Sequence, residues 1–316
     1  MRGGALTARQ RALAAARRWL DGPQPIERLA LLRIVVPLAT LGFLSSRLVH
    51  ADLWLSARAF LVPCLGGHDW RQAVCLPAIP VWAAWGVAAV TAGAALCLAV
   101  GLCTRSAALV FACAVAYLVL ADRLEAFTVT KIAPALALAL FVSPSGARYS
   151  LDEWLARRRA PNVTAPTAVQ GGVIRFFQLF LVAMYWGAGL SKLRRGWLSA
   201  NVLWSHAHDD YQTWIAWLLV RSLPGGAWQA LQYLTLAFEV GAPLWFALPP
   251  TRTPALFVGL AMHLMIGLMF GPVVWFAILM AGLLVACFAP APWLRAAGDG
   301  TVHPEAPRAR ALSDTK

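Results

Sequence analysis

The chain returns repeatedly to long apolar runs, and the breaks between them hold most of its arginine, proline and glycine. A transmembrane helix needs about 20 mainly apolar residues. Eight stretches meet or approach that length: 29–49, 81–102, 105–121, 126–143, 173–192, 228–248, 254–270 and 272–290. The third, seventh and eighth are short or interrupted, so the expected count is about eight. Pro144 and Pro249-Pro250 end helices, because proline lacks an N–H and clashes with the preceding turn. Gly271-Pro272 forms a tight turn between two spans. The runs therefore predict an all-α, polytopic integral membrane helical bundle of about eight transmembrane helices.

Composition agrees. The chain is 60% hydrophobic and 13% charged, against about 45–50% apolar and about 25% charged for soluble domains. A formal charge of +13 raises nucleic acid as a partner, but the arginines fall between apolar runs, not along one polar face. That placement suits topology signals and contacts with lipid headgroups, so no nucleic-acid partner is expected. Arg2, Arg9, Arg11, Arg17, Arg18 and Arg28 precede or open the first span, and Arg148 and Arg157-Arg158-Arg159 fall on the same side of the bundle. The opposite side holds fewer, among them Arg58, Arg71, Arg123 and Arg221. The bias places both termini in the cytoplasm.

Three segments follow: a basic cytoplasmic N-terminal segment at 1–25, a transmembrane domain at 26–290, and a polar, disordered cytoplasmic tail at 291–316. The first lacks the apolar core of a signal peptide. It reads as a basic amphipathic helix lying on the leaflet, with Leu13, Ala14, Trp19 and Leu20 toward lipid. The Ala/Arg bias of the whole chain points to a GC-rich bacterial genome, and hence to the bacterial inner membrane.

Ionisable groups at membrane depth are costly and stand as functional candidates. Four qualify: Lys131, Lys192, Glu239 and His263. With a rise of about 1.5 Å per residue, Lys192 falls near the outer boundary, Lys131 roughly 8 Å and His263 roughly 10 Å below it, and Glu239 near mid-membrane. Each also has a structural explanation. A lysine at a helix end snorkels to headgroups, a lone histidine bridges helices, and Glu239 pairs with a neighbouring cation. Gly187 and Gly189 fit close helix packing. Lys192 is one of three lysines in a chain with 24 arginines, and a lysine can lose its proton where an arginine does not.

Two outer loops are long, 50–80 and 193–227. Cys64 and Cys75 in the first form a disulfide or stay as two thiols. His206-Ala207-His208-Asp209-Asp210 in the second has metal-ligand residue types without helical i,i+4 spacing, so no metal is expected. The 15 tryptophans mark interfaces, not a cofactor.

Several segments together resemble the membrane portion of the vitamin K-dependent γ-glutamyl carboxylase family, the HTTM (horizontally transferred transmembrane) domain. They are GLCTRSAALVF at 101–111, YSLDEWLARRR at 149–159, GVIRFFQLFLVAMYWGAGLSKLRRGW at 172–197, FEVGAPLWF at 238–246 and MHLMIGLMFG at 262–271. They follow the family's order, and the likeness as a whole covers about 26–290. In the family an AG-x-x-KL-x-x-x-W pattern ends a span, and its lysine is the base that activates vitamin K hydroquinone. Ala188-Gly189-Leu190-Ser191-Lys192-Leu193 through Trp197 matches that pattern, with Ser191 in place of a first, adjacent lysine. His263 and Glu239 match the family's seventh-span histidine and sixth-span acid.

The resemblance implies a catalytic set of Lys192, His263 and Glu239, with Gly189, Lys131 and Trp197 beside the cofactor and an isoprenoid, vitamin K-like quinol as that cofactor. Desolvation at a bilayer edge disfavours the charged form of an amine, so its neutral form can take a proton from a quinol near neutral pH. In the family the activated quinol reacts with oxygen, the resulting base deprotonates the glutamate γ-carbon, and carbon dioxide traps the carbanion. Two departures matter. Animal carboxylases place Asn-His at the start of the fourth span, where this chain reads Phe127-Thr128-Val129-Thr130-Lys131. After the last span only about 25 residues follow, too few for the family's β-rich docking domain, so protein γ-carboxylation is not expected. The expectation is a quinol-linked oxidoreductase or carboxylase-like enzyme with Lys192 as base. The alternative is a non-enzymatic membrane partner for maturation or export of a secreted peptide, docking on 193–227 through His206, His208 and Tyr211.

Overall fold

The computed structural model describes residues 8–58, 76–121, 127–162, 164–194, 196–198, 201–208 and 213–296. Cys64, Cys75, Asp209, Asp210 and Tyr211 lie outside these. Among the described residues the long helices are α2 (Glu27–Leu48), α4 (Val81–Val100), α5 (Thr104–Ala121), α6 (Thr128–Val142), α8 (Gly172–Arg194), α11 (Gly225–Ala247), α12 (Pro249–Met269) and α13 (Val274–Phe288). Shorter helices join or cap them: α1 (Ala8–Asp21), α3 (Ala51–Trp54), α7 (Leu151–Arg159), α9 (Val202–Ala207), α10 (Trp214–Ser222) and α14 (Ala291–Ala296). A two-stranded antiparallel ribbon pairs β1 (Gln24–Pro25) with β2 (Ala168–Val169), Gln24 opposite Val169.

Every stretch read as a span is a helix. Five of them, α2, α4, α5, α8 and α12, are long and apolar enough to cross a membrane. Helices α6 and α13 are apolar but have 15 residues each. α11 has 23 residues, its first half diluted by Gln229, Gln232 and Thr235. Pro249 and Pro250 follow the end of α11 at Ala247 and also open the next helix, occupying the first positions of α12, where the missing N–H has no intrahelical partner to lose.

The helices pack side by side, α4 on α5, α5 on α6, α8 on α11, and α12 on α13. α2 and α13 sit centrally: α2 touches α4, α6 and α13, and α13 also touches α6, α8 and α12. One apolar core runs through them, with Leu32, Val36, Leu98, Phe111, Leu136, Phe177 and Leu284 buried.

The N-terminal end of the bundle is tied by polar contacts. Arg28 of α2 donates to the carbonyls of Ala286 (2.6 Å) and Ala289 (2.8 Å) at the end of α13, groups that a helix terminus leaves unpaired. Arg33, fully buried, donates to the carbonyls of Ser145 (3.1 Å) and Tyr149. Ser150 caps α7 by accepting from the Glu153 N–H at 3.0 Å, and Glu153 accepts from the Tyr149 N–H at 2.5 Å. Asp152 reaches across to the start of α5, accepting from the N–H of Cys103 and of Thr104, both at 2.8 Å, and from the Thr104 hydroxyl at 2.7 Å. Burial raises the Asp152 carboxyl, but those hydrogen bonds and the nearby Arg33 guanidinium outweigh it and hold it below the usual carboxylate range. Gly101 ends α4 at φ +73°, and a Cβ there would stand 2.4 Å from that of Ser150. The segments 101–111 and 149–159 are thus one structural unit.

Candidate functional site

Tyr185, Gly189 and Lys192 recur on α8 at i, i+4 and i+7, so they share one face. That face meets α11 at Gly189. A Cβ on Gly189 would lie 2.8 Å from the Val240 backbone nitrogen and 3.1 Å from the Glu239 carbonyl carbon, so glycine alone allows this approach. Gly187, two residues earlier, faces open space. The contact brings the last turn of α8 against the middle of α11, and Lys192 Nζ donates to both oxygens of Glu239, at 2.5 Å to Oε2. The carboxylate side chain is 8% exposed and the lysine 24%.

The sequence places Lys192 near the outer boundary and Glu239 near mid-membrane, whereas the structure sets them level. The reason is stagger: α8 ends at Arg194, while the N-terminal half of α11 continues past it to Gly225. That overhang is covered by a small cap. Trp197 Nε1 donates to the Gln232 carbonyl at 3.1 Å, Gln232 Nε2 donates to the Trp197 carbonyl, and the Leu203 N–H donates to Gln232 Oε1 at 3.1 Å. The Trp197 ring centroid lies 5.2 Å from Lys192 Nζ, within range of a cation–π contact.

About two turns back along α8 from Lys192, Tyr185 Oη and His263 Nε2 of α12 share a hydrogen bond of 2.7 Å. Both are buried, at 3% and 2% exposed. Phe238 packs edge-on to Tyr185 at 5.1 Å and Phe276 edge-on to His263 at 5.6 Å. His263 Nδ1 is buried and meets no hydrogen-bond partner among the described residues.

Of the six residues proposed from sequence, Lys192, Glu239, Gly189 and Trp197 meet directly, and His263 joins them through Tyr185, which shares the α8 face. Lys131 does not: it is exposed on α6, and the Glu239 carboxylate takes Lys192 as its partner. Tyr185 and Gln232 are the members the sequence reading missed. Both stand seven residues before a site residue on the same helix, Tyr185 before Lys192 and Gln232 before Glu239, a spacing that returns to the same face. Among the described residues no group of three His, Cys, Asp or Glu side chains is placed to hold a metal ion.

A bundle of apolar helices, several long enough to span a bilayer, with charged and polar groups gathered between two of them, defines a multi-pass membrane protein. Residues 68–293 match the family model described as the HTTM domain, and the chain belongs to the HTTM family. The resemblance to the carboxylase membrane portion follows from that membership; α1 and α2 precede the matched region. No curated protein and no solved structure matches the chain.

Proposed function

We propose that the chain is a quinol-linked enzyme of the bacterial inner membrane, with both termini cytoplasmic and Lys192 as its proton acceptor. The observation that carries the reading is the Lys192–Glu239 pair, a lysine with part of its surface open against a buried carboxylate. The donor set suits a quinol headgroup: a partly exposed amine, the flat ring of Trp197 beside it, and the uncommitted Nδ1 of His263 deeper in. Bound there, an isoprenoid quinol would supply an acidic hydroxyl and two reducing electrons.

Lys192 and Glu239 act as one acid–base unit. With Nζ and Oε2 2.5 Å apart, the proton between them has a short path, and the pair is neutral overall with that proton on either atom. With the proton on Glu239 and its O–H turned from Nζ, the neutral amine still donates an N–H to the carboxyl and offers its lone pair to a second proton from an acid beside it, leaving one positive charge on the pair against the acid's anion. The carboxyl remains hydrogen-bonded to Nζ throughout. Gly189 fixes the distance between the helices, and the bonds between Trp197 and Gln232 hold the indole over the amine. The apolar walls from Phe238 and Phe276 keep bulk water from the deeper His263 and Tyr185.

The test uses Lys192→Arg and Lys192→Ala with a short-tailed menaquinol in proteoliposomes, with dissolved oxygen as the electron acceptor, following quinol consumption above the protein-free rate. Arginine preserves the ion pair but keeps its proton, so Lys192→Arg is expected to remain folded and to lose about 10²–10⁴-fold in rate, the usual contribution of a positioned acid–base group. Wild-type turnover in Lys192→Arg removes the base role. Failure of the wild-type protein to bind or consume the quinol removes the reading itself.

A further inference from the structure

Helix α10 is half covered. Its inner side sets Ala216, Leu219 and Val220 against Trp228 of α11 and Met269 of α12, a second small apolar cluster apart from the main core. Its other side presents Trp214, Trp217, Leu218 and Arg221, spaced i, i+3, i+4 and i+7, which is a single stripe on a helix. The three apolar members are 73%, 48% and 46% exposed, and the Arg221 guanidinium lies 4.2 Å over the Trp217 ring.

The height of this stripe is fixed by its attachment. The Thr213 N–H donates to the Met269 carbonyl at 3.3 Å, and the Thr213 hydroxyl to the Leu268 carbonyl at 2.6 Å. The same hydroxyl accepts from the Ala216 N–H at 3.2 Å and caps α10. The start of α10 is therefore fastened to the last turn of α12, a helix long and apolar enough to cross a membrane. The last turn of such a helix stands at the bilayer boundary, and α10 stands with it.

We propose that α10 is an interfacial anchor whose stripe lies in the headgroup layer, its occupant being phospholipid. Tryptophan concentrates at that layer, where its ring is buried and its N–H stays wet. A short helix with one aromatic, apolar face sinks that face into the boundary between headgroups and acyl chains. Arg221 closes the stripe, and its guanidinium reaches lipid phosphate while its stem and the Trp217 ring stay in the apolar layer. The anchor holds the cap made by α9 and α10, and through Leu203, Gln232 and Trp197 the cap reaches Lys192. The cap is then seated at membrane level and its aromatic stripe is unavailable to a soluble peptide. This inference does not depend on the quinol reading.

The experiment compares wild-type protein with the double variant Trp214→Phe, Trp217→Phe in proteoliposomes, so that the difference in emission isolates two of the 15 tryptophans. Phosphatidylcholine brominated near the top of the acyl chains is expected to quench that difference emission, with aqueous acrylamide having little effect. Acrylamide quenching without bromolipid quenching would overturn the proposal and make the stripe a water-facing surface for a protein partner. A nitroxide on Leu218→Cys, in protein with its native cysteines replaced, gives a second reading. Its preference for oxygen over a water-soluble nickel complex should approach that of a label on Leu264→Cys, a residue 62% exposed on α12. A label at 218 that favours the nickel complex would overturn it as well.

Discussion

At the scale of single residues, the site depends on an atom that Gly189 lacks. A Cβ at this position meets backbone at 2.8 Å, and backbone in a packed helix pair cannot swing aside as a side chain would. Gly189→Ala should push α8 from α11, at the cost of about 1–3 kcal/mol typical of overpacking, and should lengthen the Lys192–Glu239 contact. Gly187→Ala, with nothing within 4 Å of its added Cβ, should be neutral. Thermal unfolding of the two variants side by side checks this, and equal melting points would remove Gly189 from its packing role. Sequence gave good reason to single out Lys192, Glu239 and His263, because ionisable groups in apolar runs are rare. It could not pair them. Partner choice depends on helix stagger, and nothing in a linear pattern states that α11 overhangs α8. Tyr185 was hidden for a related reason: a tyrosine in an apolar run is unremarkable until the histidine it meets is known.

At the scale of elements, helix existence was legible and helix ends were less so. Apolar runs marked all eight long helices, whereas α9 and α10 lie in a stretch read as loop because each is under three turns and has no span-length pattern. The motif YSLDEWLARRR was legible as a family feature, but its physical work was not, since Asp152 caps a helix that begins 48 residues earlier. Asp152→Ala should cost about 0.5–2 kcal/mol, the range for losing an N-terminal cap, whereas Asp152→Asn removes the charge and keeps an oxygen acceptor. The pH dependence has a definite sign. The folded Asp152 carboxyl sits below its ordinary value of 3.8, so its stabilisation is complete above that value and is lost as pH falls through the lower, folded one. The melting-temperature gap between wild type and Asp152→Asn should be full at neutral pH and close below about pH 4. A gap independent of pH would mean that the hydrogen bonds owe nothing to the carboxylate charge.

At the scale of the whole molecule, the helices do not match one another in length. α6 and α13 have 15 residues each, about 22 Å of helix, against about 30 Å of hydrocarbon in a typical bilayer. α2, α8 and α12 have 22, 23 and 21 residues. α13 lies centrally, but it is not sealed from lipid: Ile278 is exposed on it, as Leu138 and Val142 are on α6. Where those faces meet lipid, the bilayer thins or polar helix ends are drawn inward, each costing fractions of a kcal/mol per Å. The long helices accommodate a thin bilayer by tilting, whereas the short ones have no comparable way to accommodate a thick one. The protein should therefore be most stable in lipids with short chains and lose stability steadily as chains lengthen. Thermal unfolding in a series of phosphatidylcholines of increasing chain length reads this directly. A stability maximum in the longest lipids would mean that α6 and α13 do not face hydrocarbon along their length, and that their exposed sides are covered by protein, as in a second copy of the chain.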